Sequence, residues 1–377
     1  MRIAKKESNL MTRKTQVGFT LLETMVSLVI LLGVSAVIMS GLVQMMKTQG
    51  TIVNRTEMHS SVRGATELLQ QEIGQAGKIS LPTPPPGGWL LLAGVAAGAT
   101  PDAPIIAAAT FTPGMNLYEG EWVTVDTNIQ KETVQLKCPL GIGACPIGTN
   151  AWQATFTWPH LAGVPASVGG AFSTGIVPPA VPAVPGALSN IPPGYAGYPM
   201  FPATYPFGNA PAQGSTGTVL KLYGDVNGDG NMVYVEYTCV QGTQAAPGFV
   251  YRNQVPWTAN AIPPNDPTMI VLTGVLANPN DANGNPVPCF TYQLQTSGGV
   301  NAAANDLAFV TDVAVTLTVQ TPNKDPQIAQ FQTETKALLN VSPRNVYDAY
   351  LSATFDYSNR VQPMPLNLKG TLLPNYP

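Results

Sequence analysis

Apolar positions along this chain fall into three regimes. From Thr15 to Met46 they run almost unbroken, with Glu23 the only charged residue among 32. About 20 such residues in a helix cross a hydrocarbon core of roughly 30 Å, so the stretch predicts one membrane-spanning helix. Further on, the apolar positions thin to Val62, Ala65, Leu69, Ile73 and Ala76. Steps of three and four put these on one face of an amphipathic helix. Gly50 and Gly64 interrupt the pattern and are expected to permit bending or local melting without ending it. A continuous helix from Phe19 to about Gly77 would extend on the order of 88 Å, at about 1.5 Å per residue. The run Pro82-Thr83-Pro84-Pro85-Pro86-Gly87-Gly88 ends it.

Beyond residue 120 the period becomes two. Glu121-Trp122-Val123-Thr124-Val125-Asp126 and Glu132-Thr133-Val134-Gln135-Leu136-Lys137 alternate around a polar turn and predict a hairpin. Further strands are expected over 218–223, 232–240, 248–252, 307–318 and 331–339. The predicted class is α+β, a long N-terminal helix packed on an antiparallel sheet.

Residues 138–220 contain no Asp, Glu, Lys or Arg, and their later part is dense in Pro, Gly, Ala and aromatics. Such composition favours extended, polyproline-like conformations. One reading is an insertion draped over the β-rich region and anchored by Tyr195, Tyr198, Phe201, Tyr205 and Phe207. The other is an exposed apolar surface that contacts a neighbour.

Charge adds orientation. Arg2, Lys5, Lys6, Arg13 and Lys14 face a single acid, Glu7, before the apolar run. Basic residues flanking a span hold that side in the cytoplasm, which puts everything after Met46 outside it. A secretory signal would carry its small-residue cleavage site after the apolar core, whereas Gly18 precedes it. The formal net charge of -3 and the absence of basic clusters elsewhere argue against nucleic acid as a partner.

Gly18-Phe19-Thr20-Leu21-Leu22-Glu23, after a short basic leader and before an apolar run, resembles the class III signal of type IV prepilins. The resemblance implies a leader, 1–18, removed by an inner-membrane prepilin peptidase cutting between Gly18 and Phe19, with Phe19 then N-methylated. It implies a 19–46 helix that anchors the chain and later enters a filament core, an amphipathic continuation over 47–78, and a head over 79–377 in the periplasm or outside the cell. Partners would be other pilins or pseudopilins and the inner-membrane assembly platform. Cleavage removes five of 18 basic residues and one of 21 acidic ones, leaving 13 and 20. The new Phe19 ammonium lies one helical turn before Glu23, the separation at which side chains share a face. In the family this acid is thought to meet the amine of a neighbouring subunit; an acid left unpaired at that depth is expensive.

VYVEYTC (233–239) followed by GFVYR (248–252) resembles a strand pair of large minor pilins, and SPRNVY (342–347) resembles the ending of W-type minor pilins and J-type pseudopilins of type II secretion. A pilus-displayed adhesin is the alternative from another class.

Three groups of residues could carry chemistry. In DVNGDGNMVYVE, Asp225, Asn227 and Asp229 stand at positions 1, 3 and 5, Gly230 at 6, Asn231 at 7 and Glu236 at 12 of the EF-hand calcium pattern. The strand-like flanks equally suit an Asn-Gly-Asp-Gly hairpin turn. Asp281-Ala282-Asn283-Gly284-Asn285-Pro286 has Pro where that pattern needs Gly and reads as a turn. Cys138, Cys145, Cys239 and Cys289 all follow the span, and an even count in an oxidising compartment suggests two disulfides. Cys138 and Cys145 bracket six residues and are expected to pair locally, leaving Cys239 for Cys289. His59 belongs to the membrane-proximal helix, His160 sits in the uncharged stretch without a nearby acid, and no Walker, G-x-S-x-G or H-E-x-x-H motif is present. The expectation is a non-enzymatic protein with no required cofactor.

Overall fold

The structure is a computed structural model that describes residues 20–95, 100–139, 145–146, 148–179, 214–296, 308–355, 357–368 and 372–373. The leader with Gly18 and Phe19, and the five aromatics from Tyr195 to Phe207, lie outside the described residues. The chain forms two compact units.

The first unit comprises residues 20–54 with Lys324–Gln330. Its helix, α1 (Leu21–Gln75), is continuous through Gly50 and Gly64 and ends in the second unit. Residues 21–49 are all exposed. An 18-residue window here reaches a mean hydropathy of 2.5, so α1 is long and apolar enough to cross a membrane once. The loop Lys324–Gln330 packs on α1 at Thr48 to Thr51. Thr51 Oγ1 donates to Asp325 Oδ1 at 2.9 Å, and Gln327 Nε2 donates to Thr48 Oγ1 at 3.0 Å. Between them a Cβ on Gly50 would stand 3.0 Å from Pro326 Cγ, so only glycine lets the loop this close without displacement.

The second unit contains the end of α1 and fifteen described strands. The first seven are β1 (Leu90–Leu91), β2 (Ile105–Thr110), β3 (Trp122–Val125), β4 (Glu132–Gln135), β5 (Ala151–Phe156), β6 (Val164–Val168) and β7 (Ala171–Phe172). Next come β8 (Val219–Gly224), β9 (Val233–Val240), β10 (Gly248–Pro256), β11 (Ile270–Leu276) and β12 (Phe290–Thr296). They are followed by β13 (Ala308–Gln320), β14 (Thr333–Val341), the helix α2 (Arg344–Thr354) and β15 (Val361–Gln362).

The main sheet is antiparallel, with order β12-β13-β11-β10-β9-β8 and β14 added to β13. β12 and β11 share one edge of the long β13, and β14 takes the other. Against this sheet lie Met58, Val62, Ala65, Leu69, Ile73 and Ala76 of α1, all buried with Leu222, Val235, Tyr237, Val250 and Val313. The face read from spacing is the buried face. Full burial of a residue such as Leu69 or Ile73 contributes about 1.5–3 kcal/mol.

A second, four-stranded sheet runs β1-β6-β3-β4, and β2 pairs with β5. Together they enclose a separate core around Phe111, Trp152 and Phe156. The hairpin predicted over 121–137 is β3–β4, with Val123 opposite Val134. The uncharged stretch differs from a simple insertion, because residues 151–168 supply β5 and β6 to these layers and β7 pairs with β15. Both disulfides are formed, Cys138–Cys145 with 5.7 Å and Cys239–Cys289 with 6.4 Å between Cα atoms.

α1 ends at a crowded crossing. Gly77 takes a left-handed φ of +80°, and a Cβ on Gly175 would fall 2.1 Å from Gly77 Cα. Two glycines are therefore needed where the chain leaves the helix and passes residues 172–175.

Candidate functional site

The first turn of α1 is the candidate assembly site. Thr20 caps it: its carbonyl accepts from the Glu23 and Thr24 amides at 3.0 and 3.1 Å, and its Oγ1 accepts from the Glu23 amide at 3.3 Å. Thr-x-x-Glu is the capping-box spacing, a signal the sequence carries in Thr20 and Glu23. Glu23 is exposed in this first turn, where the helix dipole favours a negative charge. Its carboxylate meets no donor among the described residues, while its carbonyl accepts from Ser27 Oγ at 2.7 Å. The array is therefore a capped helix start bearing an unspent carboxylate at the head of an uncovered apolar rod.

The second unit explains the two strings resembling large minor pilins. On the paired strands β9 and β10, Tyr237 lies directly opposite Arg252, and both reach Glu72 of α1. Tyr237 Oη donates to Glu72 Oε2 at 2.6 Å, and Arg252 Nε donates to Glu72 Oε1 at 2.9 Å; Arg252 Nη2 also donates to Glu72 Oε1. Glu72 is only 2% exposed. Burial pushes the Tyr237 phenol up and Glu72 adds to that. Burial pulls Arg252 down, but Glu72 outweighs it and holds the guanidinium above its ordinary value. From the other string, Asn345 Nδ2 donates to the carbonyls of Gln75 and Ala76 at 3.1 and 3.3 Å. These are carbonyls that a helix end leaves without an intrahelical partner. Both strings thus fasten the C-terminal part of α1 to the β layer. Glu72, which completes the fastening, was not legible because its partners lie 165 and 180 residues away.

The candidate calcium residues form a turn stapled by Asp225, with Glu236 on the following strand. Asp225 Oδ2 accepts from Lys78 Nζ at 2.8 Å and Ser80 Oγ at 2.7 Å, and Oδ1 accepts the amides of Asp229 and Gly230 at 3.0 and 3.3 Å. Burial raises the Asp225 carboxyl, but Lys78, Ser80 and the Gly230 amide together hold it below the usual carboxylate range. Asp229 caps the Asn231 amide at 2.9 Å, and Asn227 is exposed. Glu236 lies on β9 and accepts from Tyr234 Oη at 2.6 Å, with Lys221 Nζ at 3.5 Å. Among the described residues no group of three or more His, Cys, Asp or Glu is placed to hold a metal ion. Lys78 Nζ sits on Asp225, the first position of the calcium pattern. Through Lys78 and Ser80, Asp225 binds the segment leaving α1. Asp281 accepts the amides of Asn283 and Asn285 at 2.9 and 2.8 Å in a turn closed by Gly284.

His160 is not isolated. Its fully buried ring sets Nε2 2.6 Å from Glu132 Oε1 and Nδ1 3.5 Å from Asp126 Oδ2. Burial raises Asp126, but the Thr127 and Asn128 amides and His160 leave it below its ordinary value. The array ties the β3–β4 hairpin to the turn after β5 around a buried ring. His59, on α1, lies 2.9 Å from Glu334 of β14.

Comparison of the chain with protein-family models, with curated proteins and with solved structures finds no match.

Proposed function

We propose that this chain is a minor subunit of a type IV pilus, most like the W-type minor pilins. The observation that carries the reading is α1: an uncovered apolar rod whose capped first turn bears Glu23. Such a rod is covered by lipid or by other apolar helices. A carboxylate at membrane depth costs roughly 2.5–3.5 kcal/mol on insertion scales, which a matching cation removes. In the proposed mechanism a prepilin peptidase cuts between Gly18 and Phe19 and exposes an ammonium one turn before Glu23. The helix waits in the inner membrane, packs laterally on other pilin helices, and enters a filament or its initiating tip complex with Glu23 against a neighbour's Phe-type amine. Supporting the minor role, the β9–β10 and α2 strings hold a large folded layer on the second half of α1. Glu23→Ala tests the reading: the variant is expected to remain inserted and cleaved but to be lost from sheared filaments. Wild-type incorporation of Glu23→Ala would remove the assembly role.

A further inference from the structure

We propose that the loop Lys324–Gln330 is a membrane-surface contact, with Ile328 resting in the lipid headgroup layer on the side opposite the basic leader. The inference goes beyond filament assembly but rests on the membrane-anchored helix of that reading.

The loop steps down α1. Asp325 meets Thr51, Pro326 faces Gly50, and Gln327 meets Thr48. Three helix residues correspond to about 4.5 Å of descent, directed toward the apolar end. The loop then closes on itself: the Ala329 amide donates to the Asp325 carbonyl at 2.8 Å, and the Asp325 amide donates to the Gln330 carbonyl at 2.8 Å. Ala329 turns the chain back with a left-handed φ of +56°. Ile328 is thus the apex, and it is 57% exposed although Asp325 at the start of the turn is buried.

The apolar stretch ends at Met46, two residues or about 3 Å below Thr48. Headgroup regions extend a bilayer by roughly 5–7 Å on each side of the hydrocarbon, so the apex falls within that layer. Lys47, exposed at the same level, offers a cation to lipid phosphates. One apolar tip beside one lysine matches an interfacial layer. It is far too small for a stable protein contact, which needs about 800 Å² per partner. The loop would set how deeply α1 sits, with Gly50 allowing its close approach.

The test uses the full chain at low protein-to-lipid ratio in phosphatidylethanolamine–phosphatidylglycerol vesicles. Its four native cysteines are bonded, so a single introduced cysteine, Ile328→Cys or Ile38→Cys, takes an environment-sensitive dye. The dye at position 328 is expected to be quenched most by headgroup-spin-labelled lipid, and the dye at 38 most by lipid brominated in the acyl chains. If 38 is quenched and 328 responds to neither lipid, as in water or against a second copy, the loop inference is overturned and the anchored helix stands. If 38 escapes acyl-chain quenching, the anchored helix itself fails and the loop inference with it.

Discussion

Glu72 of α1 and Arg252 of β10 meet inside the second unit, with Nε 2.9 Å from Oε1 and Tyr237 on the other carboxylate oxygen. Removing one partner of a buried pair strands the other charge, at about 3–5 kcal/mol in full burial. Arg252 keeps some contact with water, so the cost is discounted. Glu72→Ala is expected to lower stability by about 2–4 kcal/mol in chemical denaturation of the detergent-solubilised chain. The double variant with Arg252→Ala is expected to lose less than the sum of the singles. Additive losses would mean that the pair does not act as a unit.

Asp225 predicts both a pH response and an ion response. Its charged form is favoured in the folded state by Lys78, Ser80 and the loop amides. That stability is present above the unfolded value of about 3.9 and is lost as pH falls through the lower folded value. Asp225→Asn is expected to lower Tm at neutral pH and to flatten the acid limb below about pH 4. Added calcium is expected to leave the wild-type Tm unchanged; a rise abolished by Asp225→Asn would restore the ion site.

Glu121 has the opposite sign. Among the described residues its buried carboxylate accepts only the Tyr118 amide, at 3.1 Å. Burial raises its pKa to about 8, with that hydrogen bond opposing the shift. The folded state therefore favours the protonated acid. Its contribution is complete below about pH 4.3, the unfolded value, and is lost as pH rises toward 8, at about 1.4 kcal/mol per unit. Glu121→Gln is expected to be more stable than wild type at pH 9 and to lose that advantage by pH 5, read as Tm. Parallel pH profiles would contradict a neutral Glu121.

Much of this was legible wherever a local period existed. Val62 to Ala76 announced the buried face of α1, and Val123 and Val134 announced their hairpin. Where pairing is remote, residue types were visible and their partners were not. His160 looked isolated because Asp126 and Glu132 reach it only through the fold. Asp225 fits an ion pattern by spacing, but the spacing cannot reveal that Lys78 reaches it from the end of α1. β5 and β6 escaped notice because AWQATF carries two alanines and a Pro interrupts VPASV, both of which weaken strand signals.

The central claim is that this chain is processed at its leader and that the new amine answers Glu23. Mass spectrometry of the N-terminal peptide, on protein purified from native membranes in cells with active prepilin peptidase, tests it most directly. The account predicts a chain beginning at N-methylated Phe19. A chain that still carries residues 1–18 would contradict it.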